Sequence, residues 1–150
     1  MKKFATLLVA LAAAAAAHSA FAQAKPEKVI EYRKAAFTVM AKHFTSLGDM
    51  ANGKAPYDAK TAAFDGDVLA VVAGLPFTAF GPGTDKGANT KAKPGIWTDQ
   101  AKFKQADDDM QTQMVKLVAA AKSGSLDQLK AAWGPTGKAC KSCHDSFKEK

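Results

Sequence analysis

An all-α protein, four helices packed antiparallel in one bundle, is what this sequence predicts. Three observations carry the expectation. Four stretches repeat apolar residues every three or four positions, Gly, Pro and Asn-Gly signals fall between them, and all the links but one are short.

Residues 1–22 stand outside that bundle. Lys2 and Lys3 form a basic start, Phe4 to Ala17 is an Ala/Leu/Val-rich run, and Ala20-Phe21-Ala22 is an A-x-A cleavage site. This is the pattern of a secretory signal peptide, with a mature domain over 23–150 starting at Gln23. A membrane anchor needs roughly 20 consecutive apolar residues, and this run is shorter. No later stretch reads as a span, so a soluble, exported protein without membrane insertion is expected. Loss of Lys2 and Lys3 lowers the formal charge from +7 to +5. That basicity can steer an acidic partner. Nucleic acid is excluded, because Arg33 is the sole arginine, the lysines are not interleaved with aromatics, and the chain is exported.

The first helix starts at Lys25-Pro26-Glu27, with Pro in the first turn and an acid at the positive end of the dipole. Val29, Ile30, Arg33, Phe37, Met40, Phe44 and Leu47 share one face, and Gly48 with Asn52-Gly53 ends the run. Arg33 is the polar member of that face, read either as a snorkelling surface arginine or as a partner for an anionic group. Asp58 is the expected N-cap of a second helix over Ala59 to Ala73. Gly74 to Trp97 is rich in Gly and Pro and reads as a long loop packing Phe77, Phe80, Ile96 and Trp97 on the core. Thr98 is the expected cap of a third helix to Lys122, with Phe103, Met110, Met114 and Leu117 inward and Asp107-Asp108-Asp109 on a solvated face. Ser125 and Gln128 form a capping-box start for the fourth helix, which Gly134-Pro135 should interrupt or kink.

That last helix carries Cys140-Lys141-Ser142-Cys143-His144, the c-type haem attachment pattern. On a helix both thiols face one side, where they can add to the two vinyl groups of a haem while His144 ligates the iron. A thioredoxin-like redox pair would need a βαβ surround, and zinc would need further Cys or His ligands, of which the mature chain offers only His43. Few residues follow His144, so a second iron ligand has to come from upstream. The candidates are Met40, Met50, Met110, Met114 and His43.

Beyond the motif, Ala24-Lys25-Pro26-Glu27, Tyr32-Arg33, Ala55-Pro56-Tyr57-Asp58, Leu75-Pro76, Ala79-Phe80-Gly81-Pro82-Gly83-Thr84, Ile96-Trp97 and Phe103-Lys104-Gln105 together resemble the cytochrome c′ family, the class II c-type cytochromes, over the whole mature chain. The resemblance implies an up-and-down bundle with one haem c bound by two thioethers at Cys140 and Cys143. It also implies a periplasmic location and a homodimer joined through the first helices. His144 would be the axial ligand of a five-coordinate iron, and Phe37 would lie on the distal face, where many members have Leu. Arg33 and Lys34 match haem-contacting positions, Lys34 standing where Gln is common, and Lys91 matches a haem-edge contact in a loop of different length. Lys148 stands where some members have Arg, replacing a planar fork by a point charge.

The function so implied is binding of NO and CO with one-electron redox capability, and no enzyme activity, since no distal His or Arg pair flanks Phe37. The alternative is a low-spin electron carrier with a Met sixth ligand, Met40 first among them. The redox partner protein is not legible.

Overall fold

A computed structural model describes residues 25–150, so the signal-peptide reading and the start at Gln23 lie outside the described residues. The elements are α1 (Pro26–Ala51), α2 (Ala59–Val72), a 3-10 helix (Leu75–Ala79), the short α3 (Gly95–Thr98), α4 (Gln100–Lys122) and α5 (Leu126–Phe147). The long helices pack in a ring, α1 on α2, α2 on α4, α4 on α5 and α5 back on α1, the last pair least closely. This is the antiparallel four-helix bundle. Its core holds Met40, Leu47, Leu69, Met110, Met114, Leu117 and Leu129, each buried.

Local chemistry explains most boundaries. Pro26 opens α1, and Asp58 caps α2 by accepting from the Thr61 N–H at 2.7 Å. Ser125 caps α5 by accepting from the Gln128 N–H. The other half of the capping box is absent, because the Ser125 N–H is taken by Ser123 Oγ. Asp99, not Thr98, caps α4 through the Lys102 N–H. Thr98 is used to close α3, its hydroxyl lying 3.4 Å from the Pro94 carbonyl.

Gly48 does not end α1. The helix continues to Ala51, and Gly53 at φ +71° turns the chain. Gly48 serves packing instead, since a Cβ there would lie 2.6 Å from the Trp133 ring. That indole stacks on Phe44 at 5.2 Å and donates to the Phe44 carbonyl at 3.1 Å, joining α5 to α1. Gly48→Ala should therefore push Trp133 off α1 and destabilise the bundle by about 1–3 kcal/mol, as overpacking does, readable as a lower thermal midpoint and altered Trp fluorescence.

The interruption expected at Gly134-Pro135 does not occur, and α5 runs through Pro135. Pro135 and Ala131, whose carbonyl loses its helical partner, are both exposed, so water can satisfy the freed group. The next residue, Thr136, is fully buried, its hydroxyl within reach of the carbonyls of Ala132 and Gln113. The acidic run is also not uniformly solvated. Asp108 and Asp109 are exposed, but Asp107 is half-buried and accepts from Gln111 Nε2, which also bonds the Ala73 carbonyl of α2.

Ala59–Ala79 meets the length and composition of a membrane span, contrary to the sequence expectation. In the fold it is two elements, α2 and the 3-10 helix, and its buried Asp65 meets His43 Nδ1 of α1 at 2.7 Å.

Candidate functional site

A cavity of about 690 Å³ opens between α1 and α5, where the bundle packs least closely. On the α5 side stand Cys140, Cys143 and His144, together with Phe147 and Lys148. On the α1 side stand Arg33, Lys34, Phe37, Met40, Ala41 and Phe44. Phe77, Phe80, Ile96 and Phe103 complete an apolar lining, and Asn89 to Ala92 form part of the rim.

Helical spacing builds both walls. Phe37, Met40, Ala41 and Phe44 recur at three and four on α1, and Cys140, Cys143, His144 and Phe147 do so on α5. An aromatic chain joins them. Phe37 meets Phe77 edge-on at 5.7 Å, Phe80 meets Phe103 at 5.0 Å, and Phe103 meets Phe147 at 5.3 Å. Each ring braces the next, so Phe37 is held over the cavity by packing, with no polar atom of its own to offer.

Arg33 is not a surface arginine. It is 2 % exposed. One Nη donates to the Ala79 carbonyl at 3.1 Å, and the other to the Thr84 carbonyl at 2.8 Å and to Thr90 Oγ1 at 2.7 Å. Its guanidinium lies 4.5 Å from the Phe80 ring centre. Burial pulls its pKa down from the ordinary value, and the carbonyls and the ring supply what water no longer does. Arg33 thus staples the 79–90 segment to α1 at the cavity wall. Lys34 Nζ reaches the Ala88 carbonyl at 3.2 Å, and Lys91 Nζ a main-chain oxygen of Lys150 at 3.1 Å.

The structure separates the ligand candidates. Met40, Met110 and Met114 line the cavity. His43 is engaged by Asp65, and Met50 Sδ lies 3.5 Å from the Asp58 N–H on another face. Lining residues that the sequence reading did not single out for the site include Thr38, Ala41 and Asn89. Ala41 was within reach from sequence, being i+4 from Phe37. Asn89 comes from the long loop, where no period reports facing.

Both thiols are free and partly buried. Burial pushes Cys143 up to about 11, with the neighbouring Cys140 and Asp107 adding to it, and burial also raises Cys140. Partial burial and Lys148 hold His144 below its usual range, so its neutral, metal-ligating form prevails at neutral pH. In the haem-free chain Cys143 should resist alkylation at pH 8, reacting ~100-fold more slowly than an ordinary thiol because the thiolate is the nucleophile, with the rate climbing until about pH 11. Mass-resolved iodoacetamide kinetics across pH checks this.

The residues present fit a haem. The cavity volume lies within the roughly 300–1,000 Å³ of ligand pockets, the lining is apolar, and two thiols and an imidazole share one wall.

The family model described as Cytochrome C′ matches residues 28–148. Cytochrome c′ of Rubrivivax gelatinosus is 55% identical over 126 residues, covering 84% of this chain and 98% of that one. That of Alcaligenes xylosoxydans xylosoxydans is 46% identical, covering 85% and 98%. The crystal structure of the Rubrivivax gelatinosus protein superposes with a TM-score of 0.81 at 54% identity, covering 83% of this chain and 98% of that one. A nitric oxide complex of a mutant of cytochrome c prime from Alcaligenes xylosoxidans superposes with a TM-score of 0.79 at 46% identity, covering 86% and 99%.

Proposed function

From the premise that the chain belongs to the cytochrome c′ family and binds haem c, we propose that it is an exported, periplasmic NO-binding protein. In this reading Cys140 and Cys143 form the two thioethers, His144 is the axial ligand of a five-coordinate iron, and Phe37 faces the open side. The observation that carries it is the pairing of His144 on one wall with the apolar ring of Phe37 on the other. The haem supplies an iron that accepts a small ligand or one electron. The protein's part is selection.

Phe37, braced by Phe77, excludes water and offers no hydrogen-bond donor, which disfavours anionic and polar ligands and leaves NO and CO. Arg33 fixes the 79–90 segment, and with Lys34 and Lys91 it stands where anionic haem edges would meet positive charge. The NO complex of a mutant of the related Alcaligenes xylosoxidans protein supports the same ligand here. No substrate-turning acid–base pair belongs to this reading. The test is the visible spectrum of reduced protein with and without NO. A broad high-spin spectrum that changes on NO addition is expected.

A second reading keeps Met40 as a sixth ligand in an electron carrier, favoured by its place in the cavity one turn from Phe37. Sharp low-spin bands in the reduced protein without added ligand would establish it and sink the first.

A homodimer belongs to the same proposal. Tyr32 and Val39 on α1 and Phe64 and Val71 on α2 are large and exposed, Phe64 at 61% and Val71 at 72%, and each pair repeats at i+7 along its helix. This apolar stripe on two adjacent helices is what a second copy would cover. Phe64→Asp should give a monomer in sedimentation while leaving the spectrum unchanged.

A further inference from the structure

The cavity mouth carries a concentration of positive charge. Lys34 and the loop lysines Lys91 and Lys93 stand with Lys148 and Lys150, because the loop and the chain's last residues are tied together. Ala92 and Lys148 form an antiparallel bridge, Lys93 N–H donates to the Phe147 carbonyl at 2.9 Å, and Glu149 N–H donates to the Lys91 carbonyl at 2.8 Å. With Glu149 set against these five lysines, and Asp145 at their edge paired with Lys141, this rim accounts for four of the five net positive charges of residues 23–150. Over the remainder the charges nearly balance.

Elsewhere lysines meet carboxylates, as in Lys28 with Glu31, Lys104 with Asp108 and Lys122 with Asp67. Among the described residues no rim lysine forms such a pair. Lys34 ends on the backbone carbonyl of Ala88 and Lys93 on that of Asp145 at the negative end of α5, while Lys91 reaches a main-chain oxygen of Lys150. A carbonyl fixes an ammonium without cancelling its charge. The two carboxylates of a haem can neutralise two of the five, which leaves an excess facing solvent.

We propose that this lysine rim is a docking surface for the acidic face of a partner protein, which it seats over the cavity mouth. The proposal goes beyond ligand binding. It concerns the approach of a macromolecule, to which spread, separately anchored charges on a helix, a loop and a terminal segment are suited.

The probe is a plant-type ferredoxin, a small acidic one-electron protein, titrated into the haem-loaded protein and followed by calorimetry or NMR shifts. Affinity should fall about tenfold or more between 10 mM and 200 mM salt, as exposed charges are screened. K93E/K150E changes two rim lysines that do not line the cavity. It should weaken binding about tenfold at low salt with the visible spectrum and its NO response unchanged. K116E/K130E, on exposed positions of α4 and α5 outside the rim, makes the same net-charge change and should leave affinity within about twofold. Equal loss in both variants, no binding at low salt, or a rim effect seen with phosphatidylserine vesicles but not with ferredoxin overturns the proposal.

Discussion

Phe37→Ala should bind CO about 5- to 150-fold more tightly in the reduced, haem-loaded protein, measured by CO titration. Phe37 stands on the α1 wall facing His144 across the cavity, and its ring is wedged edge-on against Phe77 and Phe80. A ligand entering that side has to displace a ring whose neighbours are already packed. Forcing atoms into such a space costs about 1–3 kcal/mol, and each 1.4 kcal/mol is a factor of ten in affinity. Alanine removes the obstacle before the ligand arrives, so that cost vanishes from binding. Phe37→Leu should fall between the two. Affinity unchanged in the alanine variant would show that the ring is core alone and that the ligand side lies elsewhere.

The second large effect is structural. Arg33→Ala should lower stability by about 3–5 kcal/mol, and the melting temperature by about 10–20 °C for a domain of this size. Three hydrogen bonds from a buried guanidinium are lost together, and the carbonyls of Ala79 and Thr84 lose a charged donor. Arg33→Lys should recover part of the loss, since one ammonium cannot span all three acceptors as the fork does. Because the guanidinium pins the cavity wall, the alanine variant should also exchange amide hydrogens faster across 79–90. A melting temperature equal to the parent's would mean that the segment holds itself.

The difference between what could be read and what could not follows the distance over which each feature is decided. Pro26, Asp58 and Ser125 act within one turn of themselves, and each does in the fold what its chemistry announces. Facing is similarly local, so the period placed Phe37, Met40 and Phe44 on one wall and Cys140, Cys143 and His144 on the other. Arg33 was assigned a face but not its partners, which lie 46 to 57 residues away in a segment without period. Gly48 looked like a terminator because the reason for it, the Trp133 ring, belongs to another helix. His43 was counted among possible ligands until Asp65 of α2 proved to hold it. Thr98 and Asp99 are both good caps one residue apart, and only the short α3 decides between them.

The walls of the cavity are the first and last long helices of the described chain, some hundred residues apart in sequence. The site is therefore among the most non-local features of this topology. Its closure must recover a large loop-entropy cost before any of its contacts exist. A group gripped by the closed pocket and not by the open chain pulls that equilibrium shut by mass action. Whatever fills the gap between α1 and α5 acts as the keystone of the bundle as well as its cargo.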